Sequence, residues 1–165
     1  MITAKNMLEI FNYIISDEAM CRLLAYGENP LDDDKSNIVD TEGCDTLMKD
    51  IIRFSPQIHD IEEHQRARMC LYKSYTKMSL GNSVVRNECI EIDLYVPHEL
   101  VRKDMRIYLL ENKLVGLLDG FKISGFGNME YVDGQFNPAP NVMGYSYYKM
   151  LFTMKQGRTP TIARY

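Results

Sequence analysis

The sequence lacks tryptophan, and it contains no apolar run near the ~20 residues of a membrane-spanning helix. Residues 1–5 lack the charged and apolar regions of a signal peptide, so we expect synthesis in a cytoplasm and no membrane partner. Basic charge is also scarce, since 19 Lys and Arg face 23 Asp and Glu for a net charge of -4. Tight binding to a nucleic-acid backbone is therefore not expected.

Paired cysteine motifs are missing as well. The four cysteines, Cys21, Cys44, Cys70 and Cys89, show no CxxC spacing. This pattern predicts reduced, half-buried thiols and gives no sign of a metal site or a disulfide framework.

Length and composition fit one domain. The chain has 165 residues with ordinary apolar and charged contents of 45% and 25%, and it has no internal repeat or linker. We expect one domain over 1–165, made of a helical part (1–53), an α+β core (66–155) and a tail (156–165). The tail is predicted to be flexible or ordered by assembly.

The N-terminal part carries helical periodicity. A helix is predicted over about 4–15 with Thr3 as its N-cap, because apolar residues recur on one face. Ser16 is predicted to cap a second helix that stops at Gly27, and two helices this close favour a hairpin. A short helix is expected near 45–51.

The core begins with two strands of period two. One is predicted over 66–78, followed by a turn at 81–83 and a strand that ends at Pro97. In the second strand Ile90, Ile92, Leu94 and Val96 alternate with Glu91, Asp93 and Tyr95. That alternation predicts one buried and one solvated face.

A helix and two further strands follow. The helix is predicted over about 99–118 and closes at Asp119–Gly120, and a strand is expected over 121–132. A long loop over 133–144 then leads to a strand over 145–155, which is apolar or aromatic on both faces and so is expected to be central in the sheet or covered on both sides. The fold class predicted is α+β, with an N-terminal helical hairpin and a ββαββ, mainly antiparallel sheet under one long helix.

Few residues in the sequence suggest a catalytic or metal-binding site. Glu91 and Asp93 lie on one side of a strand and could hold Mg²⁺ in a nuclease, but the second acidic element and the lysine that such sites use are not evident. His59 and His64 are spaced i, i+5, unlike the i, i+4 of zinc proteases. An aromatic stripe around 145–152 lacks the basic groove needed to bind bases. We therefore expect no catalytic residue, metal or cofactor.

Three segments carry a family resemblance: the strand 90–97, the helix end 114–120 and the closing strand 145–154. Their order after two helices resembles the tail-terminator and tail-completion proteins of tailed bacteriophages. The resemblance implies a structural virion protein of the tail or neck, forming a homo-oligomeric ring, commonly sixfold. Such a ring caps the tail tube and joins it to the head–neck complex.

The resemblance also implies partners. These are further copies of the chain, the tail tube protein and neck or connector proteins, while DNA passes through the lumen without specific binding. Contacts are expected in two loops, 79–87 and 133–144, and in the tail. The predicted interface residues are Gly81, Asn82, Ser83, Gly134, Gln135, Phe136, Asn137, Pro138, Arg158, Thr159, Ile162 and Tyr165.

Three alternatives stay open at this point. A head-closure or head–tail connector protein has a different ring order and neighbours the portal, and its position in the particle distinguishes it. A small metal-dependent nuclease would use Glu91 and Asp93. A cytoplasmic adaptor would act as a monomer or dimer.

Overall fold

The computed structural model describes residues 1–56, 66–79, 82–137 and 144–156. These residues confirm the predicted α+β class. The helices are α1 (Ala4–Ile15), α2 (Glu18–Ala25), α3 (Cys44–Ile51), α4 (His98–Asp104) and α5 (Arg106–Leu118). The strands are β1 (Ile52–Arg53), β2 (Arg68–Ser79), β3 (Asn82–Pro97), β4 (Met129–Asn137) and β5 (Tyr145–Gln156).

The N-terminal helices form as predicted, with one corrected cap. Thr3 caps α1 in a capping box with Asn6. The N-cap of α2 is Asp17, whose side chain accepts a hydrogen bond from the Met20 amide at 2.9 Å. The prediction that Ser16 caps this helix was wrong, because Ser16 closes α1 and its hydroxyl donates to the Tyr13 carbonyl.

The strands form one sheet with the order β1-β2-β3-β5-β4. All pairs are antiparallel except the two-residue β1, which runs parallel to β2. β5 lies between β3 and β4, which confirms its predicted central place. One face of the sheet carries the main apolar core, to which all five helices contribute side chains.

The predicted long helix is divided in two. Met105 adopts the left-handed conformation, with φ 53° and ψ 36°, and it ends α4 and precedes α5. The next residue, Arg106, is fully buried, and its guanidinium donates to the carbonyls of Leu23, Tyr26 and Gly27 near the end of α2. This contact between distant segments holds the break in place. No helix in the described ranges has both the length and the apolar content to cross a bilayer.

The segment after α5 also differs from prediction. Asp119 and Gly120 end the helix as expected, but the next strand begins at Met129, not at 121. Residues 133–137, predicted to be loop, belong to β4 and pair with β5. Gly134 permits this strand because the hydroxyls of Tyr131 and Tyr148 pack where a β-carbon would lie.

Candidate assembly surfaces and the charged cluster of the sheet

The sheet face opposite the helices is largely buried, so the predicted solvated face was wrong. Asp93 is only 2% exposed and Tyr95 only 3%. Tyr95 packs with Tyr147, with 4.9 Å between ring centroids, and Cys70 belongs to the same small apolar cluster. Bulky tyrosines on neighbouring strands therefore cover polar residues that alternation alone would place in water.

A charged cluster lies at the centre of this face, and we define it as Tyr72, Glu91, Asp93 and Lys149. Register places Asp93 opposite Lys149 on β5 and Tyr72 on β2 opposite Glu91. The Lys149 ammonium donates to Glu91 Oε2 at 2.7 Å and lies 3.8 Å from Asp93 Oδ1. The Tyr72 hydroxyl lies 2.8 Å from Glu91 Oε2 and 2.7 Å from Asp93 Oδ2.

The two carboxyl groups of the cluster differ in proton affinity. Burial raises the pKa of Asp93 above its ordinary value of 3.8, although Tyr72 and Lys149 oppose the shift. Burial alone would also raise the pKa of Glu91, but hydrogen bonds from Lys149, Ser74 and Tyr72 bring it below 4.5. The Tyr72 hydroxyl has one proton and can donate to one acid at a time. A proton on Asp93 satisfies both contacts, since Asp93 then donates to Tyr72 and Tyr72 donates to Glu91.

This geometry bears on the nuclease alternative. The sequence did not reveal a lysine near the acidic pair, yet β5 supplies Lys149. Its ammonium lies within 3.8 Å of both carboxylates and supplies positive charge beside them. Among the residues that the structure describes, no group of three His, Cys, Asp or Glu side chains could hold a metal ion.

An exposed aromatic patch, defined as Met105, Tyr108 and Phe136, lies where α5 meets β4. Their side chains are 66%, 46% and 50% exposed. The Tyr108 and Phe136 rings meet edge to face with 5.7 Å between centroids, and Phe136 packs on Tyr148 at 4.9 Å. Tyr148 in turn donates to Glu111 of α5. The patch is thus an exposed apolar surface whose ring from β4 packs on a side chain of β5.

An apolar groove lies on the other side of the molecule, beside β2, with a volume of about 770 Å³. We call it the N-terminal groove. Leu8 and Phe54, which are 47% and 44% exposed, form part of its wall. The other described residues that line it are Ile2, Thr3, Ala4, Met7, Pro56, Tyr72 and Lys73. β1 pairs with β2 only at Met69 and Cys70. No described strand pairs with the outer edge of β2 beyond them.

The outer edge of β4, by contrast, has several of its hydrogen-bonding groups occupied. The Tyr131 amide donates to the Asp119 carboxylate at 3.0 Å, and the Gly134 amide donates to the Asp133 side chain at 2.9 Å. Met129 exchanges backbone hydrogen bonds with Gly120 and Phe121. These contacts occupy part of the edge that another chain would need for strand pairing.

The structure describes only some of the predicted interface residues. Gly81, Pro138, Arg158, Thr159, Ile162 and Tyr165 lie outside the described residues, as do His59 and His64. Asn82 and Ser83 begin β3, and they do not form a loop. Gly134, Gln135, Phe136 and Asn137 lie in β4, and of these Phe136 belongs to the aromatic patch.

Sequence reasoning missed the other members of both surfaces. Met105 and Tyr108 lie within the segment 99–118 that the sequence predicts as one helix. Leu8 lies beside the buried stripe of α1 and is exposed. Phe54 precedes Ser55-Pro56, where no regular periodicity exists.

Comparison with known proteins gives two findings. The chain is 23% identical over 163 residues to the SPbeta prophage-derived uncharacterized protein YomW of Bacillus subtilis (strain 168). That alignment covers 92% of this chain and 96% of the relative. The comparison thus points to a phage-related protein. The YomW family model matches residues 17–154, most of the chain, so this protein belongs to the YomW family.

Proposed function

We propose that this chain is a structural protein of a phage particle, a tail terminator. Copies form a ring that caps the tail tube and joins it to the head–neck complex. The observation that carries the proposal is the presence of two unlike apolar surfaces, an exposed patch beside β4 and a groove beside β2. Apolar surface of this kind, left exposed on a monomer, marks contact sites for other proteins.

Ring formation requires this kind of asymmetry. In a closed ring each subunit uses two different patches, whereas a twofold dimer uses one patch twice. The relationship to a prophage-derived protein supports a place in a phage particle. A net charge of -4 also suits a channel through which DNA moves without adhering.

The charged cluster supports a structural role better than a nuclease. Lys149 and the Tyr72 hydroxyl engage Glu91 and Asp93, so both acids already have polar partners within the fold. We expect no Mg²⁺-dependent cleavage of plasmid DNA by the purified protein. Cleavage that disappears in Asp93→Ala would instead support the enzyme.

Deletion of the gene from the phage that encodes this chain tests the role. A terminator stops tube growth, so electron micrographs should show tubes of abnormal length and heads without attached tails. Complementation with the wild-type gene should restore joined particles of uniform tail length.

The same images separate the alternatives. Tubes of normal length beside heads that have lost their DNA would identify a head-closure or connector protein. Infectious particles of normal appearance would contradict a structural role in the tail or neck.

A further inference from the structure

We propose that Cys21 and Cys44 form a modification site, a pair of thiols that hydrogen peroxide converts into a disulfide bond between α2 and α3. The inference goes beyond the proposed function, and its test does not depend on ring formation. The spacing of the cysteines in the sequence did not indicate this pair, because the loop between α2 and α3 separates them. The fold brings them together.

The two thiols are neighbours in the core. Cys21 lies within α2 and Cys44 is the first residue of α3, and these helices pack against each other. The side chains of Cys21 and Cys44 hydrogen bond to each other. Both belong to the main apolar core, where Cys21 is fully buried and Cys44 is 8% exposed. Because the sulfur atoms are already close together, rotation of the side chains can close an S–S bond of about 2.05 Å.

The backbone around the pair is held in place. Glu18 of α2 accepts a hydrogen bond from the Val39 amide at 2.8 Å. Arg22 of α2 donates to the Lys35 carbonyl, also at 2.8 Å. The loop between the two cysteines is therefore tied to α2 before any covalent bond forms. These contacts limit the backbone movement that would otherwise separate the thiols.

Cys44 is the thiol that reacts first. It is slightly exposed and Cys21 is not, so a small oxidant such as peroxide reaches Cys44 more readily. Burial raises the pKa of Cys21 to about 12. Burial raises the pKa of Cys44 as well, but the hydrogen bond with Cys21 opposes that shift. Because the thiolate is the nucleophile, the raised pKa values make the reaction slow at neutral pH and faster at alkaline pH.

The reaction has two steps. The Cys44 thiolate attacks one peroxide oxygen, so that an S–O bond forms, the O–O bond breaks, and the departing hydroxide becomes water with the thiol proton. The Cys21 sulfur then attacks the Cys44 sulfur, so that an S–S bond forms, the S–O bond breaks, and a second water leaves with the Cys21 proton. Two thiols together lose two electrons, and peroxide is reduced to two waters.

The disulfide closes a loop over residues 21–44 and joins α2 to α3. Closing such a loop restricts the unfolded chain, which stabilises the fold. Disulfides persist at virion surfaces, outside the reducing cytosol. In the proposed structural role, each copy therefore gains stability once its particle has left the host.

Peptide mapping tests the pair. The native full chain is treated with hydrogen peroxide at alkaline pH, the remaining thiols are blocked, and the protein is digested with trypsin without a reductant. Cleavage after Arg22 puts Cys21 and Cys44 on separate peptides. We expect one main linked species, which contains both peptides and separates when a reductant is added. Methionine oxidation links no peptides and does not interfere. In the urea-unfolded chain, the four cysteines should pair without this preference.

Urea unfolding gives a second readout. Oxidation should raise the urea midpoint of the wild type by about 1.5 M, the size expected for a closed loop of this length, and a reductant should reverse the gain. Cys44→Ala should abolish both the linked species and the gain. Cys70→Ala is the matched control, because it removes a buried thiol from the tyrosine cluster on the opposite sheet face, and it should keep both. The wild-type peptide map decides the pairing even where a variant fails to fold.

Four results would overturn the inference. They are native thiols that stay reduced under alkaline peroxide, a main product linked through other cysteines, conversion of Cys44 to a sulfinic acid while Cys21 stays reduced, and a linked pair without a gain in urea midpoint. Each of them would leave the proposed function standing, since ring formation is tested on the particle.

Discussion

Replacement of Arg106 by Met should remove a large part of the stability of this fold. The side chain is fully buried, and its guanidinium donates to the carbonyls of Leu23, Tyr26 and Gly27 at 2.8, 2.7 and 3.1 Å. It also donates twice to Asp104 Oδ2, at 2.6 and 3.1 Å. One side chain therefore joins the end of α2 to the turn between α4 and α5.

The magnitude follows from the groups left behind. Each of the three carbonyls loses a hydrogen bond from a charged donor, and each loss destabilises the fold by ~1 kcal/mol or more. The Asp104 carboxylate also loses its partner. Loss of one member of a buried ion pair costs ~3–5 kcal/mol. Because the Asp104 side chain is 26% exposed and water can solvate it, we reduce the ion-pair loss to ~1 kcal/mol and expect a total of about 4 kcal/mol. That is a large share of the ~5–15 kcal/mol that holds a typical domain folded.

Urea unfolding followed by circular dichroism measures this loss. With a slope of ~2 kcal/mol per molar urea, the midpoint should fall by about 2 M. Arg102→Met is the matched control, since Arg102 is exposed four residues away, and it should shift the midpoint little. The double variant Arg106→Met with Asp104→Asn should lose less than Arg106→Met alone, because no unpaired charge remains. Equal midpoints for Arg106→Met and Arg102→Met would refute the reasoning.

Three further predictions concern the sheet and the thiols. Because its pKa is raised in the fold, Asp93 contributes stability below pH 3.8 that is lost as the pH rises through that raised value. The urea midpoint of Asp93→Asn should therefore rise relative to that of the wild type as the pH rises. Glu91→Gln removes a group whose pKa is lowered, so its urea midpoint should fall furthest below that of the wild type above pH 4.5. Gly134→Ala should lower the urea midpoint, since a β-carbon would displace two tyrosine hydroxyls, while Gly27→Ala, with open space around it, should cost far less. Burial raises the pKa of Cys70 to about 12, so a thiol reagent should label the native protein much more slowly than the urea-unfolded chain. Three results would contradict these expectations. They are a difference in urea midpoint between Asp93→Asn and wild type that does not change with pH, equal midpoints for the two glycine variants, and rapid labelling of the thiols in the native protein.

The sequence predicted the elements whose signals are local. Helix α1, with its cap Thr3, and the alternating strands β3 and β5 formed as expected, because capping and periodicity act within a few residues. The central position of β5 also followed from its two apolar faces. These features needed no knowledge of the partner segments.

The prediction errors arose where contacts with residues distant in the chain determine the local structure. The break at Met105 depends on Arg106 and on carbonyls at the end of α2, about 80 residues earlier in the chain. The burial of Asp93 depends on Tyr72 and Lys149, which come from two other strands. A single strand read alone cannot indicate whether its polar face meets water or a neighbouring side chain.

The same limit applies to the assembly surfaces. Phe136 was among the predicted interface residues, but as part of a loop, and the structure places it in β4 beside Tyr108. Leu8 and Phe54 come from segments far apart in the chain and meet only in the folded groove. Whether an apolar residue is exposed can be judged only once the core around it is known.

The central claim is that this chain forms a ring at the end of the tail tube. Its most direct test is a cryo-electron microscopy map of the head–tail junction in particles of the phage whose genome encodes this chain. We predict a closed ring of copies on the last tier of the tail tube. A junction without this chain, or a purified particle that contains no copies of it, would contradict the account.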